Sequence, residues 1–317
     1  LSVHAVRCRA AHAATWRVGP DEAMHAPSEA ARQAADGDSV VIDPGTYYDC
    51  AVWRQAHLSL RAAGPGVVLT DMTCVGKAIW VIDGAGVQID GVTFARARVP
   101  DLNGAGIRAE APDLTVTNAR FLNDEVGILD SAAGGTLRVS DSDFDGNGRA
   151  LLIGKSSRLE IVTTRITGSH SGDAISSAAA LTAITGGAIE DGDAGAPGCL
   201  ISTTGDLDLH GVTFRKAATG ANPGCIVLAG GAATRVTVQG GAVAVAAPNA
   251  ATFIRNAVGA RVSIDGVSYS GDVTPERGPS LRMLAGRLLG VAKDAARAAR
   301  SVAKTSAREA LQAIGVR

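Results

Sequence analysis

The octet Val87-Gln88-Ile89-Asp90-Gly91-Val92-Thr93-Phe94 recurs down the chain. In register with it are Leu114-Thr115-Val116-Thr117-Asn118-Ala119-Arg120-Phe121, Leu137-Arg138-Val139-Ser140-Asp141-Ser142-Asp143-Phe144, Leu207-Asp208-Leu209-His210-Gly211-Val212-Thr213-Phe214 and Val262-Ser263-Ile264-Asp265-Gly266-Val267-Ser268-Tyr269. Looser copies end at Ile166, Ile189 and Val243. The closing residues fall at 94, 121, 144, 166, 189, 214, 243 and 269, with steps of 27, 23, 22, 23, 25, 29 and 26. A loose period in the twenties with a fixed internal pattern is the signature of a solenoid.

Within each copy apolar residues alternate with polar ones, so each run is a strand with one buried face. A two-residue polar step follows: Asp90-Gly91, Thr117-Asn118, Ser140-Asp141, His210-Gly211, Gln239-Gly240, Asp265-Gly266. Gly and Asn tolerate positive φ, so this step predicts one tight turn per coil. A second short strand ends on the bulky anchor. A variable polar loop leads to a third strand at Gly106-Ile107, Gly127-Ile128, Ala174-Ile175, Cys199-Leu200 and Cys225-Ile226. Three strands per coil predict an all-β chain wound as a single-stranded parallel β-helix. A leucine-rich repeat of similar period would need a Leu-rich helical segment in each copy, and none is present.

These coils resemble those of the right-handed parallel β-helix proteins of the pectate-lyase-like superfamily. The entry segment adds to the likeness. Ser28-Glu29-Ala30-Ala31-Arg32-Gln33-Ala34-Ala35, followed by Val40-Val41-Ile42-Asp43-Pro44-Gly45-Thr46-Tyr47, is similar to that superfamily's N-terminal capping helix and first coil. The resemblance covers about Thr15 to Tyr269. It implies a right-handed solenoid. It implies little about activity, since the superfamily holds lyases, hydrolases, epimerases, adhesins and phage tail fibres.

Residues 15–279 are expected to form one elongated domain. Residues 1–14 read as a disordered leader or a signal remnant, with Ala11-His12-Ala13 in small-x-small form. From Ser280 apolar residues recur at three- and four-residue spacing (Leu281, Leu284, Leu288, Ala292, Ala295, Ala299), which predicts a long amphipathic C-terminal helix over 280–317. That tail has eight basic and two acidic residues, a net +6, which leaves −7 on the rest of a chain of net −1. It either folds back on the solenoid or docks on a membrane surface or a protein partner. The stripe it would cover is read from the third strands. If Ile107, Ile128, Leu151, Ile175, Leu200, Ile226 and Phe253 point inward, then Arg108, Leu129, Leu152, Ser176, Ile201, Val227 and Ile254 point outward. The net charge gives no nucleic-acid signal, and no run of about 18 apolar residues marks a membrane span. Abundant Gly (39) with few aromatics (3%) fits many tight turns, and 46% hydrophobic residues exclude a disordered chain.

Of the five cysteines, Cys50 and Cys74 lie about one coil apart, as do Cys199 and Cys225. Residues at one position on neighbouring rungs are about 4.8 Å apart, inside disulfide range. Each pair is therefore a bridge or an apolar thiol stack.

Enzymes of the superfamily work on polysaccharides in a groove beside the third strand and its loops. A lyase needs a base for the C5 proton and a cation, calcium among the options, to neutralise the uronate carboxylate. A hydrolase needs spaced carboxylates. The loops offer Asp145, Asn147 and Arg149, then Lys155, then His170 and Asp173, then Glu190, Asp191 and Asp193, then Arg215 and Lys216. Stacking of coils predicts that His170, Asp173, Asp191, Asp193, Arg215 and Lys216 share one flank, and His170, Asp173, Arg215 and Lys216 form the candidate catalytic set. The Gly-His-Gly-type motifs of polygalacturonases, the Arg-x-Pro-x-x-Arg pattern of pectate lyases and the Asp-Pro-His motif of mannuronan epimerases are absent; Arg96-Ala97-Arg98-Val99-Pro100 is a loose echo of the second. Two readings follow. One is an extracytoplasmic lyase or epimerase acting on a uronate polysaccharide. The other is a non-catalytic glycan-binding or surface scaffold whose tail is its docking element.

Overall fold

The computed structural model describes residues 13–191, 198–217, 224–230 and 234–278. The expected leader up to residue 12, the amphipathic tail from 280 and Asp193 lie outside them.

The chain winds as a parallel β-solenoid bounded by three long sheets of 11, 10 and 10 strands. Each coil gives one strand to each sheet. The first sheet carries Gln88–Asp90, Leu114–Thr117 and Thr136–Ser140, the second Thr93–Ala95, Arg120–Leu122 and Asp143–Asp145, the third Ala105–Ala109, Val126–Asp130 and Arg149–Ile153. Every strand pairing in these sheets is parallel, from Thr15–Val18 on Ser39–Ile42 to Ala250–Arg255 on Asp272–Arg277. The repeat read from the sequence is the repeat of the fold. Phe94, Phe121, Phe144, Ile166, Ile189, Phe214, Val243 and Tyr269 pair in one column along the second sheet. Phe94, Phe121 and Phe144 stack face to face, with centroids 5.3 and 4.5 Å apart. Stacked rings bury large apolar area and fix the register of one rung on the next.

The turn between the first and second sheets holds a left-handed residue in each of eight coils, Gly91, Asn118, Asp141, Thr163, Gly186, Gly211, Gly240 and Gly266, all with φ between 47° and 76°, and Gly187 and Gly241 add a second in two of them. The constraint is tight because the turns stack, Gly91 N–H donating to Thr117 O and Gly211 N–H to Gln239 O. Thr163 is the misfit, since a β-branched residue at φ 47° is strained. Thr163→Gly is expected to raise stability by about 0.5–1 kcal/mol, relief of strain outweighing the extra entropy of an unfolded Gly. The midpoint of urea unfolding measures it, with Gly211→Thr as the reverse change; a midpoint lowered by Thr163→Gly would show the threonine makes compensating contacts.

At the N-terminal end the helix Pro27–Gln33 begins on Pro27 and buries Ala30 and Ala31, touching Thr15–Val18 and Ala51–Trp53. Asp38 ties this end together, accepting from Ala14 N, Trp16 Nε1 and Ala35 N at 2.7–2.8 Å. Burial pushes its carboxyl up, but these three donors outweigh burial and hold it below the usual range.

The third sheet corrects the expected stripe. Ile107, Ile128, Leu151, Ile175, Ile201, Ile226 and Ile254 form the inward column, so Ile201 and Ile254 face the core. The outward column is Val81, Arg108, Leu129, Leu152, Ser176, Ser202, Val227 and Arg255. Leu200 and Phe253, which precede Ile201 and Ile254, are also fully buried. Two consecutive residues face inward where the chain turns into this sheet, and a slip of one residue exchanges the faces. The apolar stripe is therefore confined to the N-terminal rungs, where Val81 and Leu129 cluster with Ala78, Ala105 and Val126, and Val52 and Leu152 pack on them.

Cys50 and Cys74 are joined, with Cα atoms 5.4 Å apart. Cys199 and Cys225 are buried thiols. Burial pushes the Cys225 thiol up to about 12, against the pull of Lys216.

Candidate functional site

The variable loop after each anchor is held by side chains at fixed offsets from it. Three residues past Phe94, Phe121 and Phe144 stand Ala97, Asp124 and Asn147. Ala97 N–H donates to Asp124 Oδ1 at 2.7 Å. Asp124 N–H donates to Asn147 Oδ1 at 2.8 Å, and Asn147 Nδ2 donates to Phe121 O at 2.9 Å. One residue further, Glu125 Oε2 accepts from Val99 N and Gly104 N at 3.0 and 2.7 Å, which closes the segment between them into a loop. Asp124 is fully buried and its Oδ2 has no donor. Burial pushes its carboxyl up to about 8; the Ala97 N–H and the Arg98 charge pull the other way.

This loop is one wall of a cleft of about 390 Å³ on the outer flank of the third sheet. Arg98 and Leu102 line that wall, Val126 and Leu152 the floor, Arg149 and His170 the far side. Arg149 starts the strand Arg149–Ile153, and its guanidinium lies over Gly172, where an added methyl would sit 2.5 Å from Nε. The buried Arg149 Nε has no hydrogen-bond partner. His170 is held by its backbone N–H to Asn147 O at 3.1 Å, which leaves the ring exposed. Arg96, Arg108, Arg120, Arg138, Arg158, Arg165 and Arg215 all form ion pairs. Arg98 and Arg149 form none among the described residues; Arg98 Nη1 meets only Ala97 O, at 2.8 Å.

Two uncommitted guanidiniums and an imidazole around one opening make a positive site. Guanidinium forks match carboxylates, and an imidazole is a side chain of the kind that serves as a general base. The cleft does not fit calcium. Glu125 Oε2 already serves two N–H groups, Asp124 is buried toward its neutral form, and two arginines would face the ion. No group of three His, Cys, Asp or Glu among the described residues is placed to hold a metal.

Of the four side chains expected to converge, His170 lines the cleft. Asp173 is next along the loop, where its Oδ1 accepts from Cys199 N at 2.8 Å. Arg215 lies on the outer face of the second sheet, 2.7 Å from Glu190. It ends a ladder of alternating charge through Arg120, Asp143, Arg165 and Glu190. Lys216 points into the coil, where its Nζ is 2.8 Å from Asp191 Oδ2 and both groups are almost fully buried. The four therefore occupy different surroundings. The partners His170 does have are Arg149, which the loop reading had noted, and Arg98 and Glu125, which it had not. Their signal was the shared offset from the anchors: Arg98 and Glu125 each stand four residues past a Phe.

No model of a known protein family matches the chain, and no curated protein matches it. Solved structures do. Pectate lyase Pel9A superposes with a TM-score of 0.53 at 14% identity, over 84% of this chain and 81% of that one. The deglycosylated pectin methylesterase from Aspergillus niger gives 0.47 at 14% identity, over 84% and 90%. A GH87 alpha-1,3-glucanase from Streptomyces thermodiastaticus gives 0.44 at 16% identity, over 81% and 67%. At such identities the likeness is one of fold, and the fold of this chain is the parallel β-helix seen in pectate lyase Pel9A.

Proposed function

We propose that the protein is a carbohydrate-active β-helix protein that holds an acidic polysaccharide in the cleft between Arg98, Arg149 and His170. The observation that carries this is the convergence on one open hollow of Arg98 and Arg149, neither ion-paired among the described residues, with the exposed His170. A uronate carboxylate placed between the two forks would have its charge neutralised, which acidifies the C5 proton. His170 is then the group positioned to take that proton as the C4–O bond breaks and the C4=C5 bond forms, with the departing glycosyl oxygen keeping the bond's electrons. The Cys50–Cys74 bridge supports an extracytoplasmic setting, where disulfides persist. No described helix is long and apolar enough to cross a membrane.

The second reading, a glycan-binding scaffold without turnover, is favoured by the apolar floor of Val126 and Leu152 beside the cluster on the third sheet. One experiment separates them. Acidic polysaccharides are incubated with the protein, and unsaturated products are followed by ultraviolet absorbance while binding is followed by calorimetry. A lyase gives products, and His170→Ala lowers the rate by about 10²–10⁴-fold with binding kept. A scaffold gives binding alone. Arg149→Ala should weaken binding at least tenfold in either case; binding of neutral and acidic polymers with equal strength would overturn the proposal.

A further inference from the structure

A second hollow, of about 570 Å³, opens between the helix Pro27–Gln33 and the Cys50–Cys74 disulfide. Arg32 and Arg54 line it together with Gln55. Neither arginine makes an ion pair among the described residues. The acids nearby are already engaged. Asp49 Oδ2 accepts from Ser28 N at 2.8 Å. Asp83, which feels the charge of Arg54, is held toward its neutral form by burial and by Glu110. Gln55 is fixed by Nε2 donating to Ala31 O at 3.1 Å, while its buried Oε1 has no donor. A buried acceptor without a partner costs free energy that a ligand hydroxyl could recover.

These features set the chemistry of an occupant. Two unpaired guanidiniums call for an anion. The orphaned amide oxygen calls for a donor, which a bare carboxylate lacks and a polyol supplies. The volume lies in the range of small-ligand pockets, well above the roughly 30 Å³ of a water molecule. We infer that this hollow is a separate binding site for a sugar acid, its carboxylate on Arg32 and Arg54 and a hydroxyl donating to Gln55. It lies across the N-terminal rungs and shares no lining residue with the cleft of Arg98 and Arg149. The disulfide is part of its wall and holds the loops of two successive coils together, so the site is formed before the ligand arrives.

The test is calorimetric titration of the full chain carrying Arg149→Ala, which weakens the cleft at least tenfold and keeps the two sites distinguishable. D-glucuronate should bind with one saturable site, with glucose (hydroxyls without charge) and propionate (charge without hydroxyls) each at least tenfold weaker. Arg32→Gln and Arg54→Gln should each weaken glucuronate at least tenfold, and Gln55→Leu about fivefold. Thermal unfolding checks that these variants are folded. Should Arg54→Gln lower the midpoint, Arg54→Lys replaces it, keeping the charge and losing the fork. Absence of saturable glucuronate binding in the Arg149→Ala chain, or equal binding after loss of both arginines, overturns the assignment.

Discussion

Lys216→Met is expected to lower the stability of the protein by about 3–5 kcal/mol, one of the two largest effects of any single change considered. Lys216 and Asp191 are 4% and 2% exposed, on adjacent coils. Their charged atoms lie 2.8 Å apart but out of line for a hydrogen bond, so the attraction is chiefly ionic. Asp191 Oδ1 is held in addition by Ala217 N–H at 2.5 Å. Removal of the ammonium strands a carboxylate inside the coil, and a lone buried charge is far costlier than either a pair or two apolar groups. The double change Lys216→Met with Asp191→Leu should therefore recover most of the loss. Urea unfolding of both variants against the parent measures it. Equal stability of parent and Lys216→Met would show that water reaches the pair. The result also bears on activity assays, since any rate lost in a Lys216 variant must first be corrected for the folded fraction.

The second large effect is a pH dependence centred on Asp124. Its carboxyl is pushed up to about 8 in the fold, whereas an unperturbed aspartic acid titrates near 3.9. Between those values the folded chain holds a proton that the unfolded chain releases. Stability from this group is thus full below about pH 4 and is lost as pH rises to about 8, by at most about 1.4 kcal/mol per unit. Asn keeps the oxygen that accepts the Ala97 N–H and cannot ionise. Asp124→Asn should match the parent at pH 4 and exceed it by several kcal/mol at pH 8. Denaturant midpoints across that range decide it; parallel curves for parent and variant would mean that Oδ2 is solvated.

The second-sheet column was legible because Phe94, Phe121, Phe144 and Phe214 are bulky, fully inward and preceded by a turn that admits few residue types. The third sheet was legible only in outline. Alternation counted from Leu200 and Phe253 inverts the faces of Ile201 and Ile254, since two neighbouring residues point inward at that corner and no period of two records a corner. The charges of the loops were the least legible. Read as loop residues, Arg215 and Lys216 look alike. The strand Thr213–Lys216 carries its alternation on to Lys216, which pairs with Val245, so Phe214 and Lys216 face inward and Arg215 outward. A hint was present: Asp191 and Lys216 both stand two residues past an anchor, as do Asp71 and Arg96, and both couples are ion-paired. The near wall of the cleft was not legible because Asp124 and Glu125 build it, acids that act as fasteners for backbone N–H groups, a use that composition does not reveal.

Two of the three connections in each coil differ in freedom. The bend between the first and second sheets stacks on its neighbours with at least one left-handed residue apiece, so an insertion there would throw every later rung out of line. The connection from the second sheet to the third already varies in length from coil to coil and is fastened only at a few offsets. Mutational drift and deliberate redesign alike can work on the flank that holds the cleft: recognition can be rewritten there while the stack beneath stays as it is.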